Sequence, residues 1–270
     1  FDEMTDAVNP QFVRPKRTVR EIRKIGLVDI TDAIGKGIAD FGEVPTHYFY
    51  LAIIYPVVAF AIVGFYGELD LLPIIFPLVA GYTLLGPVVA TGMYEISRRR
   101  EFGRFTSWTN AFLVFKSHSI NGIAILGVLL MLIYIAWIFL AAAIYVHHFG
   151  AHPPESYMGF VIQLFTTSQG TSMILMGCSA GLVLAIIVLS LSVVSFPMLL
   201  DLEVGVVTAV VTSVRAVIAN PIMMAVWGVI VAASLLVGSL PFFVGLGVVL
   251  PVLGHATWHL YRKMVDCSSD

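Results

Sequence analysis

Two histidines four residues apart, His255 and His259 in GHATWHLYRKMV, are the side chains whose spacing is best suited to chemistry. On a helix, positions i and i+4 share a face and can hold one metal ion or a haem iron. The glutamate that follows the first histidine in zinc peptidases is absent, because Ala256 stands there, and no third ligand lies nearby in sequence. The order Trp258, His259, Tyr261, Arg262, Lys263 also fits the end of a membrane helix, where an aromatic belt gives way to cations. That interfacial reading takes precedence over ligation. A second group, His147, His148 and His152 in HHFGAHPPES, reads as a solvated loop. Met173, Met176 and Cys178 could offer soft ligands to copper, and equally fill apolar gaps.

Other chemistry is sparse. There is no nucleophile beside a base, no phosphate-binding glycine loop and no dinucleotide fingerprint, so no enzyme and no cofactor are expected. TSQGTS, residues 167–172, reads as a helix start with capping hydroxyls. The remaining candidates are charges near the ends of apolar runs. Glu95 stands three and four residues before Arg98 and Arg99, a spacing for pairing along one helix face. Asp201 and Glu203 close a later run and are expected to meet Arg98, Arg99 and Arg100, with Arg215 nearby, in a structural layer of salt bridges on the cytoplasmic side.

The elements that position these groups follow from composition. Of 270 residues, 59% are hydrophobic and 12% charged, against about 25% charged in a soluble domain. Mean hydropathy is +0.93. This is the composition of a membrane protein. Six apolar runs are long enough to cross a bilayer: about 48–66, 71–94, 120–146, 171–200, 221–240 and 241–261. All fifteen Lys and Arg fall before the first run, in the second and fourth connections, or after the last. The positive-inside rule therefore places both termini in the cytoplasm. The fold expected is all-α: residues 1–47 form a cytoplasmic segment, 48–262 a bundle of six transmembrane helices, and 263–270 a short cytoplasmic tail. The two cysteines imply no disulfide framework, the net charge of -2 says nothing of partners, and no nucleic-acid partner is expected.

Three polar segments carry further expectations. In the N-terminal segment Arg14, Lys16, Arg17, Arg20, Arg23 and Lys24 form a basic stretch attracted to anionic lipid headgroups, worth on the order of 1 kcal/mol per cation. A short amphipathic helix with Ile30, Ala33, Ile34, Ile38 and Phe41 follows and stops before Pro45. Two connections, residues 101–121 and 203–220, read as amphipathic helices on the cytoplasmic face. The first would gather Phe105, Trp108, Phe112 and Phe115. The second would gather Gly205, Thr208, Thr212 and Arg215.

VREIRKIGLVDITDAIGKGIADFGEVP, GPVVATGMYEISRRREFG, SVVSFPMLLDLEVGVVTAVVTSVRAVIANP and PVLGHATWHLYRKMV resemble the bacterial integral membrane family catalogued as domain of unknown function 2189. The resemblance implies a bacterial inner-membrane protein and no assigned activity. Together these readings favour a non-catalytic structural or accessory protein that packs against partner membrane subunits or lipid. The alternative is a small-solute transporter or channel, its cavity lined by the run broken at Pro73, Pro77 and Pro87. A redox protein using His255 and His259 is the weakest reading.

Overall fold

The computed structural model describes residues 17–43, 57, 72–241 and 243–269. A strand β1 (Arg17–Ile22) leads to helix α1 (Leu27–Glu43). Helix α2 (Leu72–Tyr82) passes through one 3-10 turn, Thr83–Leu85, into α3 (Gly86–Glu101). A 3-10 helix, Trp108–Lys116, precedes α4 (Ile120–Phe149). Then come α5 (Tyr157–Thr166), α6 (Ser168–Ser192), α7 (Ser195–Asp201), α8 (Val206–Ala219), α9 (Pro221–Ser239) and α10 (Leu246–Met264), and the described chain closes with β2 (Val265–Ser269).

Four described stretches are long and apolar enough to cross a membrane: Ile75–Glu101, Ile120–Phe149, Ser168–Asp201 and Pro221–Ser239. The expected first run, 48–66, lies outside the described residues. The expected second run is α2 and α3, broken where the sequence places its prolines: Pro77 lies inside α2 and Pro87 in the first turn of α3. A proline removes a backbone donor and crowds the preceding turn. Beside this break α4 also binds the backbone of α2, where Trp137 Nε1 donates to Pro77 O at 2.9 Å and Tyr134 Oη to Leu78 O at 3.1 Å. The expected start of α6 is also seen, with Thr167 Oγ1 accepting from Gly170 N at 3.0 Å.

The expected sixth run, α10, is not among the four. His255, Thr257 and His259 interrupt its apolar character, and its C-terminal half is buried. It packs antiparallel to α1, with Lys263 Nζ 3.6 Å from Asp29 Oδ1 and 2.9 Å from Asp32 Oδ2 at one end. Farther along, a Cβ on Gly37 would stand 2.7 Å from the backbone nitrogen of Ala256. Only glycine lets the two helix backbones come this close. The turn joining α9 to α10 is equally tight, since a Cβ on Gly245 would lie 2.7 Å from Gly238 O.

Strands β1 and β2 pair antiparallel, Arg17 opposite Ser269 and Ile22 opposite Val265. The described parts of the basic segment and of the tail, expected to be all-α or irregular, form a two-stranded sheet. The β-branched Thr18, Val19 and Ile22 of RTVREI suit a strand. Arg17 and Arg20 fall within β1, Arg23 pairs with Asp266 at 2.6 Å, and Lys24 is exposed. Arg14 and Lys16 lie outside the described residues. The pairing holds residues 17–22 and 265–269 on one side of any membrane that the helices cross.

The two amphipathic connections depart from expectation in detail. The first is a 3-10 helix that does display Phe105, Trp108, Phe112 and Phe115 outward. Its start is capped by Asn110, whose Oδ1 accepts from Ser107 N at 2.6 Å. In α8 the expected polar stripe is split. Thr212 is buried with Ala209, Ser213 and Ala216, while Thr208 and Arg215 face outward beside Val207, Val211 and Ile218. The buried face is the small-residue one, because small side chains let α8 lie close against its neighbours.

Candidate functional site

The polar side chains of α1, α3, α7 and α10 converge at one end of the bundle. Asp40 is their centre. It is buried in α1, where Ile30, Ala33 and Gly37 precede it at helical spacing on the face packed on α10. Its Oδ1 accepts from Arg100 Nη1 at 2.8 Å. Its Oδ2 receives the Ser97 hydroxyl and lies 2.9 Å from His259 Nε2. Ser97 Oγ is also 2.8 Å from His255 Nδ1. Burial on its own would raise the Asp40 carboxyl, but the hydrogen bonds from His259 and Ser97 outweigh it and hold the group below the ordinary carboxylate range.

The histidine pair suggested by spacing is thus brought together, by a shared carboxylate from the N-terminal segment. Asp40 could not be found as its partner from spacing, since 219 residues separate it from His259. The set contains serine, histidine and aspartate, yet the serine stands between the other two. In a nucleophilic triad the imidazole stands between serine and carboxylate. Ser97 and His255 are fully buried, so a substrate does not reach them in this conformation. Among the described residues no group of three or more His, Cys, Asp or Glu is arranged to hold a metal ion. The arrangement acts as a latch that fastens α1 across α3 and α10.

A second cluster ties the ends of α3, α7 and α10. Arg262 Nε donates to Glu101 Oε1 at 2.9 Å and its Nη1 to Asp201 Oδ2 at 3.3 Å. Tyr261 Oη donates to Asp201 Oδ2 at 3.0 Å, and Trp258 Nε1 to Glu101 Oε2 at 3.0 Å. Asp201, expected beside Arg98–Arg100, bonds Arg262 and Tyr261 of α10 and shares a cavity wall with Arg98 and Arg99. The expected pairing of Glu95 with Arg98 is present, at 2.7 Å, as an ion pair outside hydrogen-bond alignment. Arg98 does join the second connection to the fourth, through the carbonyl of Leu200 at 2.8 Å. Arg100 turns to α1, meeting Asp40 and, at 3.3 Å, Glu43. Glu203 and Arg215 are exposed.

Between these clusters and the start of α4 lies a cavity of about 310 Å³. Arg98, Arg99, Arg104 and Lys116 line it together with Glu95, Asp201 and Glu203. Nearby, Asn220 clamps the segment between β1 and α1. Its Oδ1 accepts from Ile25 N at 2.8 Å and its Nδ2 donates to Arg23 O at 3.1 Å. At the opposite end, His148 bonds Ile144 O at 2.8 Å and lies 3.2 Å from Ser172 Oγ, while Tyr145 Oη donates to His152 O at 2.7 Å. His147 and His148 thus belong to the last turn of α4, and of the three histidines expected in a solvated loop His152 alone lies in the loop that follows.

No curated protein and no solved structure matches the chain. Residues 75–201, from α2 to the end of α7, match the model of the family described as predicted integral membrane protein (DUF2189), the family that the sequence resembles.

Proposed function

We propose that this chain is a non-catalytic, multi-pass protein of the bacterial inner membrane that serves as a structural or accessory subunit, packing against partner membrane proteins or lipid. One observation carries the reading. The apolar helices α4 and α9 turn most of their residues outward, while the charged and hydrogen-bonded groups gather at one end. A wall of exposed Leu, Ile, Val and Phe suits contact with lipid or another membrane helix. The pairing of β1 with β2 favours an even number of crossings, and with the clustering of cations it supports six, with the polar end cytoplasmic. Purification from native membranes in mild detergent with crosslinking tests the reading. Reproducible co-purification of membrane subunits or tightly held lipid supports it, and a protein that stays alone and binds neither counts against it.

The transporter reading has less support. The broken α2–α3 backbone is packed against Trp137 and Tyr134 of α4, and irregular backbone that lines a solute path would face water. Solute flux in liposomes carrying the pure protein would reverse this preference. A redox role for His255 and His259 is weaker still, since both rings are engaged with Ser97 and Asp40. An absorption spectrum showing a ligated haem would overturn that judgement.

A further inference from the structure

We propose that the cavity at the polar end binds a phosphate-bearing anion, of the kind presented by an anionic lipid headgroup or a free phosphate compound. The proposal rests on the membrane reading only for the lipid source; the anion site itself follows from the cavity. Its acids are largely spoken for. Glu95 is held by Arg98, Asp201 is held by Arg262 and Tyr261, and Glu203 is exposed to solvent. Four cations, Arg98, Arg99, Arg104 and Lys116, line the cavity against three acids. Arg99 is the decisive residue: it is half-buried, lines the cavity, and its Nε is buried without a hydrogen-bond acceptor. A buried guanidinium N–H left without an acceptor is costly, and a planar guanidinium matches phosphate oxygens.

Lys116 and Arg104 contribute charge, and Ser117 and Ser119 lie on the cavity wall where α4 begins. The amino end of a 30-residue helix adds partial positive charge. The volume, about 310 Å³, lies at the lower end of the range for small-molecule sites. The flank suggests the depth. Phe105 follows Arg104 and Phe115 precedes Lys116, and both rings face outward with Trp108 and Phe112. Aromatic rings beside cations mark the level of lipid headgroups, so a phosphodiester in the adjoining leaflet can reach the cavity.

The test uses the full chain purified in a neutral detergent. Native mass spectrometry measures retention of phosphatidylglycerol against phosphatidylcholine, and calorimetry measures binding of inorganic phosphate against sulfate. Preferential retention of phosphatidylglycerol supports the headgroup source. Binding of inorganic phosphate with no lipid preference supports the free-phosphate source. Arg99→Gln is expected to weaken the bound species roughly tenfold or more, and the exposed Lys116→Gln to weaken it less without altering the melt. Lys36→Gln, at the exposed face of α1, serves as the unaffected control. The proposal is overturned by equal retention of both lipids with no phosphate binding. Wild-type affinity in both Lys116→Gln and a folded Arg99→Gln overturns it as well. If anion binding is absent while partner crosslinks persist, this inference fails and the accessory-subunit reading stands.

Discussion

His259 Nε2 lies 2.9 Å from Asp40 Oδ2, joining the last long helix to the first across 219 residues. The carboxylate also takes Arg100 and Ser97 from α3, so three helices meet on one buried group. Removing it takes the shared carboxylate acceptor from Arg100, His259 and Ser97.

Asp40→Ala is therefore expected to destabilise the fold by about 3 kcal/mol, the scale for stripping one partner from a buried charged network. Thermal unfolding in detergent reads the effect. A melt within a degree of wild type would show that α1 does not depend on this group.

The same carboxylate makes stability depend on pH. Its folded pKa is depressed, so its contribution is present above the unfolded value of about 3.9 and fades as pH falls through the lower folded value. The groups facing it are His255, His259, Arg100 and Ser97. Wild-type protein should lose stability below about pH 4, and Asp40→Asn should start lower and lose less over that interval. Parallel curves for the two proteins would remove Asp40 from the acid transition.

Two glycines of α1 separate close packing from helix propensity. A side chain at Gly37 collides with the Ala256 backbone, whereas Gly35 has open space around it. Gly37→Val is expected to cost about 1–3 kcal/mol through overpacking. Gly35→Ala is expected to gain about 0.5–1 kcal/mol from helix propensity and a stiffer unfolded chain. Equal shifts in the two melts would contradict the α1–α10 contact.

Asn220 satisfies backbone groups of Ile25 and Arg23, and it is buried. Asn220→Ala should cost about 1–3 kcal/mol and speed hydrogen exchange at residues 23–26 more than in α4. Unchanged exchange there would mean that the β1–β2 pairing alone holds the linker.

Much of the architecture was legible in the residues because a bilayer imposes a simple rule. Backbone polar groups must be satisfied within each crossing, so a crossing helix declares itself as a long apolar run, and α4, α6 and α9 follow closely the runs read from composition. Prolines 77 and 87 marked the break between α2 and α3, and Thr167 marked the start of α6, since both effects act within a turn of the chain. The i, i+3 pair of Glu95 and Arg98 was local for the same reason.

What tertiary structure decided were the partners. Helical spacing put His255 and His259 on one face but carried no information about Asp40, nor about the bonds of Asp201 to Arg262 and Tyr261. The strand at 17–22 exists through a second strand at 265–269, because a lone strand has no acceptors for its backbone. Charges far apart in sequence find one another only after the apolar helices have set which ends are neighbours. Apolar length alone determined which segments enter the membrane, and the packing of those segments determined which polar groups meet outside it.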